Sequence, residues 1–434
     1  MRSSHLFAAR AVIAVATAVA LAGAAADLTP AERKLNADSF EYAWKAIRDN
    51  MWEPMPAGVD WQQVHDELLP KVQAAKSMPE ARAVMRDMIS RLKLTHFGIV
   101  PAAAYERLGH ASKPGKGNPG EPGFDLRLLN GSAVVRWIQQ DSPAYQAGVR
   151  NGWAVTKVGK SNVRELLDQL DKALPQGTVR EIQMTRAIAS AFEGDVGEMI
   201  KAEFLDAANQ PVTLDIRLKA PRGNETKLGY MTTQHVWFES QRFGDTGYVR
   251  FNMFMDPTRL AAQFADAVQS CAKCKGFIID LRGNPGGLGG MSMGMAGWFI
   301  DKPNVRLGVM KTKTNEIKFT VFPRAETFKG PVAILVDGLT GSTSEIFAGG
   351  MKDLGRAHII GTRTAGAALP SVFEKLPNGD GFQYAIANYI SEGGQPLEGI
   401  GVIPDQEVKT TRDALLAGRD PALDAALEWI GEKR

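Results

Sequence analysis

The apolar positions of this chain fall into three successive patterns. Residues 28–93 place them at helical spacing, clearest over 31–47 and 79–92, and predict a helical region. Residues 123–219 change to short apolar runs broken by turn residues, such as A-V-V-R-W-I at 133–138, and predict a strand-rich unit. Within it, the acidic and apolar stretch 187–207 reads as an insertion ahead of a last strand at 212–219. From 227 to about 408 strand and helix patterns alternate, the mark of an α/β core, and 414–432 reads as one closing helix. A Gly-, Pro- and Lys-rich segment, 111–122, separates the first two patterns as a linker.

Two strand ends in the last region carry candidate chemistry. The run G-P-V-A-I-L-V-D at 330–337 reads as a buried strand and leads through L-T-G-S-T-S-E into a helix beginning near Glu345. Ser342 therefore sits on a strand-to-helix turn, beside the free N–H groups of a helix N-terminus. Such a hydroxyl suits a nucleophile, and equally suits a helix cap. A second strand, G-F-I-I-D-L-R at 276–282, ends in G-N-P-G-G, whose glycines let backbone N–H groups face a ligand.

Taken together, D-L-R-G-N-P-G-G and G-S-T-S-E resemble the tail-specific, or C-terminal processing, serine peptidases and their tricorn-like relatives. The resemblance implies Ser342 as nucleophile, with the N–H groups of Gly287 and Thr343 as oxyanion donors. Ser344 is the competing hydroxyl and is expected to cap the helix. One branch of that family draws its base from a lysine after the nucleophile helix. Here Ala367 stands at that place, in T-R-T-A-G-A-A. The other branch uses an upstream histidine, and L-K-L-T-H-F at 92–97 is similar to its segment, with His96 as base. Histidine suits that task because it titrates near neutral pH. The segment P-L-E-G-I-G-V-I-P-D at 396–405 resembles the one that completes a tetrad in this branch, which implies Glu398 and Thr95. A turn-stabilising role for Glu398 is the other reading, and Asp405 is expected to serve the turn.

Between base and nucleophile, G-F-D-L at 123–126 and S-P-A-Y-Q-A-G-V-R-N-G at 142–152 are similar to bacterial PDZ domains. That likeness implies peptide binding by strand addition, with Gly123, Phe124, Asp125 and Leu126 forming the carboxylate loop. The segment 153–163 departs from the PDZ pattern, which bears on peptide affinity more than on fold.

Composition adds localisation. In this chain of 434 residues, residues 1–10 are basic, 11–22 apolar and 23–26 small, as in a secretory signal cleaved near Ala26. A net charge of +3 without a basic cluster gives no reason to expect nucleic acid. After signal cleavage no segment is apolar enough to span a membrane. The only cysteines, Cys271 and Cys274, read as a local disulfide closing a helix end. No metal or cofactor is expected.

The expected organisation is thus a multidomain α/β protein. A signal (1–26) precedes a helical region carrying the base (27–110). The linker (111–122) leads to a PDZ-like β-rich domain (123–222) and a crotonase-like catalytic core with a closing helix (223–434). The expected function is an exported, periplasmic or secreted serine endopeptidase acting on polypeptides, with free C-terminal tails as the recognised element. A peptidase-derived scaffold that binds peptides without cutting them is the rival reading. Esterase or acyl-transfer chemistry on the same residues is a third.

Overall fold

The computed structural model describes residues 27–53, 55, 58–102, 119–174 and 177–433. The expected signal and most of the expected linker lie outside the described residues. Mixed helix and sheet content in several sheets makes this a multidomain α/β protein. No helix among the described residues is long and apolar enough to cross a membrane.

The first region is three helices: α1 (Pro30–Asn50), α2 (Trp61–Gln73) and α3 (Met78–Ser90). Each starts where the sequence supplies a cap. Thr29 and Glu32 form a capping box, and Asp60 and Ser77 accept from the first turns of α2 and α3. Trp44 and Trp61 lock α1 to α2, each indole N–H donating to the other's backbone carbonyl at 2.9 and 3.1 Å. The helices share one apolar core with Leu376, Phe382 and Tyr384, from a hairpin nearly 300 residues later. Arg82 grips Asp380 of that hairpin through two bonds of 2.8 Å. After α3 the chain turns at Lys93 and His96, both with positive φ, and Gly98–Val100 pairs antiparallel with Gly381–Ala385. The helical region and the hairpin are therefore one body, and His96 sits at their junction.

The middle region is an antiparallel sheet ordered Phe124–Leu129, Ser132–Ile138, Ala154–Val158, Met199–Leu205, Pro211–Arg217. The S-P-A-Y-Q-A-G motif is a helix of one and a half turns. Ser142 caps Pro143–Ala147, and Gly148, at φ 113°, ends it as only glycine does readily. The stretch expected as an insertion supplies an inner strand instead. Met199–Leu205 is hydrogen-bonded along both edges, because its alternation of exposed and buried residues suits a half-covered sheet.

The last region is built on a six-stranded sheet: Phe238–Phe243, Thr246–Phe251, Gly276–Asp280, Val332–Val336, His358–Gly361, Gln406–Glu407. The first pair is antiparallel and the rest run parallel. Gly276–Asp280 and Val332–Val336 are buried throughout, which is why they read as unbroken apolar runs. One face, with Phe277, Ile279, Ile334 and Val336, packs under the helices Arg259–Ser270, Gly289–Ala296 and Thr343–Asp353. The other, with Ile278, Ala333 and Leu335, takes Ala422, Ala426 and Ile430 of Pro421–Glu432. The expected closing helix is two helices, Arg412–Leu416 and Pro421–Glu432, separated at Gly418 (φ 70°) and restarted by the cap Asp420 and Pro421. Cys271 caps Arg259–Ser270 and is disulfide-bonded to Cys274.

A buried ionic seam joins the middle region to the core. Arg127 donates to Asp337 at 2.7 Å, Arg250 to Asp125 at 2.6 Å, and Arg136 lies 3.7 Å from both Asp280 and Asp420. Arg282 binds Asp280 and Asp420 through paired bonds of 2.6–2.9 Å. Asp280 is fully buried. Although burial opposes its charge, Arg282, Arg136 and Arg250 hold its carboxyl far below the usual range. Asp280→Asn leaves these guanidinium groups short of a counter-charge and should destabilise the protein by about 3–5 kcal/mol. Urea unfolding of the two proteins measures this, and a loss under about 1 kcal/mol would contradict it.

Candidate active site

The turn between Val332–Val336 and Thr343–Asp353 places Ser342 at the helix N-cap with φ 54° and ψ −122°. A non-glycine residue in that conformation is strained by about 1–3 kcal/mol and needs its surroundings to hold it. Four contacts do so. The Ser342 N–H donates to Ala367 O at 2.7 Å and to Glu345 Oε2 at 2.9 Å, while Glu345 and Ile346 N–H groups return to Ser342 O at 2.8 and 3.0 Å.

The glycine turn after Gly276–Asp280 lies directly against this element. A Cβ on Gly286 would stand 2.6 Å from Ser342 Cβ and 2.7 Å from the Thr343 nitrogen. Gly287, at φ 140°, follows in the same turn, and Thr343 Oγ1 donates to Gly287 O at 2.8 Å, tying the two elements together. Neither the Gly287 nor the Thr343 N–H has an acceptor among the described residues. Both are free to meet a negative oxygen.

Ser344, expected to cap the helix, does not. It is fully buried and donates to Asn284 Oδ1 at 2.9 Å, and Asn284 also binds Gly286 N–H, Phe251 O and Gly341 N–H. Ser344 is a strut under the glycine turn, with no path to a substrate. Ser342 itself occupies the cap position.

Thr95, His96 and Glu398 come together although 303 positions separate the first from the last. Glu398 accepts from Thr95 N–H at 2.8 Å and from Thr95 Oγ1 at 2.9 Å, and Thr95 Oγ1 lies 2.8 Å from His96 Nδ1. The hydroxyl's one hydrogen goes to the carboxylate. His96 must then donate from Nδ1, which leaves the lone pair on Nε2. The ring is half-buried, and desolvation together with the Arg186 guanidinium pulls its pKa down to about 4. Burial raises the Glu398 pKa against the pull of its hydrogen bonds. Among the described residues no hydrogen bond joins His96 to Ser342. The two halves meet instead through consecutive residues: Ala367 O accepts from Ser342, and Ala368 N–H donates to Glu398 at 3.1 Å.

The expected peptide loop looks different in detail. Leu126 is in the core of the middle region, Asp125 is committed to Arg250, and Phe124 packs edge-on against Phe192 at 5.0 Å. A Cβ on Gly123 would overlap Ser142. These side chains serve the interior, while among the described residues the outer backbone edge of Phe124–Leu129 carries no further strand. Asp405 supports the strand His358–Gly361 by accepting from Ile359 N–H at 2.9 Å and pairing with Lys352. Among the described residues no group of acidic, His or Cys side chains is placed to hold a metal ion.

Sequence reasoning missed the part played by Glu345, seen only as a first-turn residue. The S-x-x-E spacing from Ser342 was its signal, since it is the pattern of a capping box.

Comparison with known proteins bears on this geometry. The model of peptidase family S41 matches residues 245–408, and that of the tricorn protease C1 domain matches residues 33–90. A probable CtpA-like serine protease of Staphylococcus aureus (strain bovine RF122 / ET3-1) is 26% identical over 297 residues, 67% of this chain and 53% of that protein. The chloroplastic carboxyl-terminal-processing peptidase 3 of Arabidopsis thaliana is 24% identical over 375 residues, 85% of this chain and 68% of that protein. The chain thus spans about half the length of the first of these curated relatives. Among solved structures, a photosystem II D1 C-terminal processing protease aligns with TM-score 0.59 at 22% identity, covering 93% of this chain and 98% of that one. Mature CPAF complexed with lactacystin aligns with TM-score 0.61 at 15% identity, covering 93% and 98%. At these identities the structural likeness shows a shared fold. Together with the two domain matches and the sequence relatives, it gives this chain a segment similar to peptidase family S41, preceded by one similar to the tricorn protease C1 domain.

Proposed function

We propose that this chain is an exported serine endopeptidase working through an acyl-enzyme. The observation that carries the reading is the Glu398–Thr95–His96 chain, built against the same loop that fixes the strained Ser342. Ser342 Oγ attacks the peptide carbonyl as His96 Nε2 takes its proton. The Gly287 and Thr343 N–H groups receive the oxyanion, the kind of stabilisation whose loss costs about 10²–10³ in rate. The peptide C–N bond breaks as His96 returns the proton to the leaving amine. Water, deprotonated by His96, then hydrolyses the ester and restores Ser342. Glu398 acts through Thr95, keeping the imidazole in the tautomer that leaves Nε2 basic. Export rests on the basic–apolar–small order of residues 1–26.

A fluorophosphonate probe should label Ser342 in the wild-type protein. Ser342→Ala and His96→Ala should each abolish labelling and peptide cleavage with the thermal midpoint little changed, since members of a catalytic unit are lost together. A folded wild-type protein that the probe leaves untouched would favour the binding scaffold.

The low pKa of His96 carries a pH signature. A base must be unprotonated, so activity supported by His96 is present above about pH 4 and disappears as pH falls through that value. Glu345, whose burial pushes its pKa up to about 7, adds a partial step there, with activity lower on the acid side. A rate profile between pH 3.5 and 9 should show both steps. One complete loss centred near 6.5 would contradict the environment described for His96.

Substrate tails are the recognised feature in this reading. The open edge of Phe124–Leu129 accepts a peptide as an added strand, and backbone N–H groups of residues 123–126 receive its terminal carboxylate. An unfolded substrate with a free C-terminus should then be cleaved faster than the same chain amidated. Equal rates would remove tail recognition and leave a general peptidase.

A further inference from the structure

We propose that Glu345 is a positioning residue that sets the register between nucleophile and base by clamping the loop 364–368 against the Ser342 turn. The role rests on the peptidase reading above and adds a residue to it.

Glu345 is wholly buried in the first turn of the nucleophile helix. An unpaired carboxylate there would be costly, so where its donors come from decides what it holds together. This one accepts from four donors, three of them outside its helix. Oε1 takes Thr364 Oγ1 at 2.5 Å and Gly366 N–H at 2.8 Å. Oε2 takes Ala367 N–H at 3.0 Å and Ser342 N–H at 2.9 Å. One oxygen therefore holds the nucleophile's own backbone together with the loop facing it.

The next N–H along that loop, Ala368, donates to Glu398. Gly366, Ala367 and Ala368 thus hand three successive N–H groups to two carboxylates, buried Glu345 and half-buried Glu398, one for each half of the machinery. The path runs Ser342, Glu345, loop, Glu398, Thr95, His96, with no break in hydrogen bonding. No direct bond fixes His96 relative to Ser342, so this ladder does it. Ala367, which offered no base, contributes its N–H to one carboxylate and its carbonyl to the Ser342 N–H.

The far side of the clamp is fixed as well. Thr364 Oγ1 accepts from Val402 N–H at 2.6 Å, and Gly399 N–H donates to Gly366 O at 2.8 Å, so the segment bearing Glu398 is bound to the same loop. Gly366 and Gly401, at φ 62° and 72°, permit this approach: a Cβ on Gly401 would stand 2.7 Å from Thr364 O. The groups facing Glu345 are these four donors, and the next N–H of the loop is taken by the carboxyl of Glu398. No charged side chain pairs with Glu345 among the described residues.

The amide of Glu345→Gln presents an NH₂ to donors and cannot accept from all four. A displacement of about 1 Å between reacting groups costs on the order of 10² in rate. Glu345→Gln should therefore lower kcat about 100-fold with KM within about threefold, slow fluorophosphonate labelling in parallel, and lose the step near pH 7. If that variant fails to fold, Thr364→Val removes one donor at constant shape and should lower kcat about tenfold, whereas Thr364→Ser, which keeps the hydroxyl, should restore it. A folded Glu345→Gln with kcat within about twofold of wild type, or one that keeps the pH 7 step, would overturn the proposal. So would equal kcat in Thr364→Val and Thr364→Ser. A wild-type protein inert toward peptide and probe would instead sink the peptidase reading, and this role with it.

Discussion

A carboxylate drawn largely out of water at a strand end cannot stand alone, and half-buried Asp337 shows how much follows from that constraint. It sits just past the strand Val332–Val336 and accepts from Arg127 Nε at 2.7 Å, Gly283 N–H at 2.9 Å and Leu339 N–H at 3.0 Å. The first partner belongs to the middle region, the second to the glycine turn, the third to the approach to Ser342. Burial raises the cost of the charge, and Arg127 and Arg136 outweigh it, holding the carboxyl below its usual range. The two turns that frame the site are thus hung from one charged group, and the middle region is anchored because it supplies the counter-charge.

The same dry surroundings act on the rest of the site. Burial favours neutral forms, so His96 is pushed down while Glu345 and Glu398 are pushed up. Neutral imidazole is the form a base needs. In the proposed reaction, negative charge developing on the carbonyl would meet the Gly287 and Thr343 N–H groups, which have no acceptor among the described residues. Two residues of the site, Ser342 and His96, have positive φ; histidine is among the side chains that tolerate it best, so the strain falls mainly on Ser342.

What could be read in advance was what is local. D-L-R-G-N-P-G-G and G-S-T-S-E announce their turns because glycine and cap chemistry act over a few residues, and both elements formed close to where the spacing placed them. Residues 371–385 were not seen as the partner of the N-terminal helices, because nothing in an antiparallel hairpin names the distant helix that will cover it. The pairing of Thr95 with Glu398 came from family resemblance; spacing alone carries no trace of a contact across 303 positions. Ser344 and Ser342 look alike in sequence, and only the structure separates the fully buried strut from the half-buried cap residue. The stretch 187–207 looked extraneous although Met199–Leu205 alternates buried and exposed residues as a half-covered strand does; alternation does not name the strands it will lie between. Gly418 lay inside an otherwise helical pattern, where one glycine is an ambiguous mark.

The bond between Arg282 and Asp420 has a consequence for the order of events in biogenesis. Arg282 belongs to the strand end that carries the glycine turn, and its guanidinium is held by Asp280 on one side and Asp420 on the other. Asp420 then caps the helix that covers one face of the central sheet. A ribosome or export channel delivers His96 early, the Ser342 turn much later, and Asp420 later still. Until that last carboxylate emerges, a buried guanidinium lacks half its partners and a sheet face is bare. The order of the glycine turn is thereby tied to a residue 138 positions beyond Arg282, so a chain cut short before Asp420 would leave that strand end without half of its counter-charge.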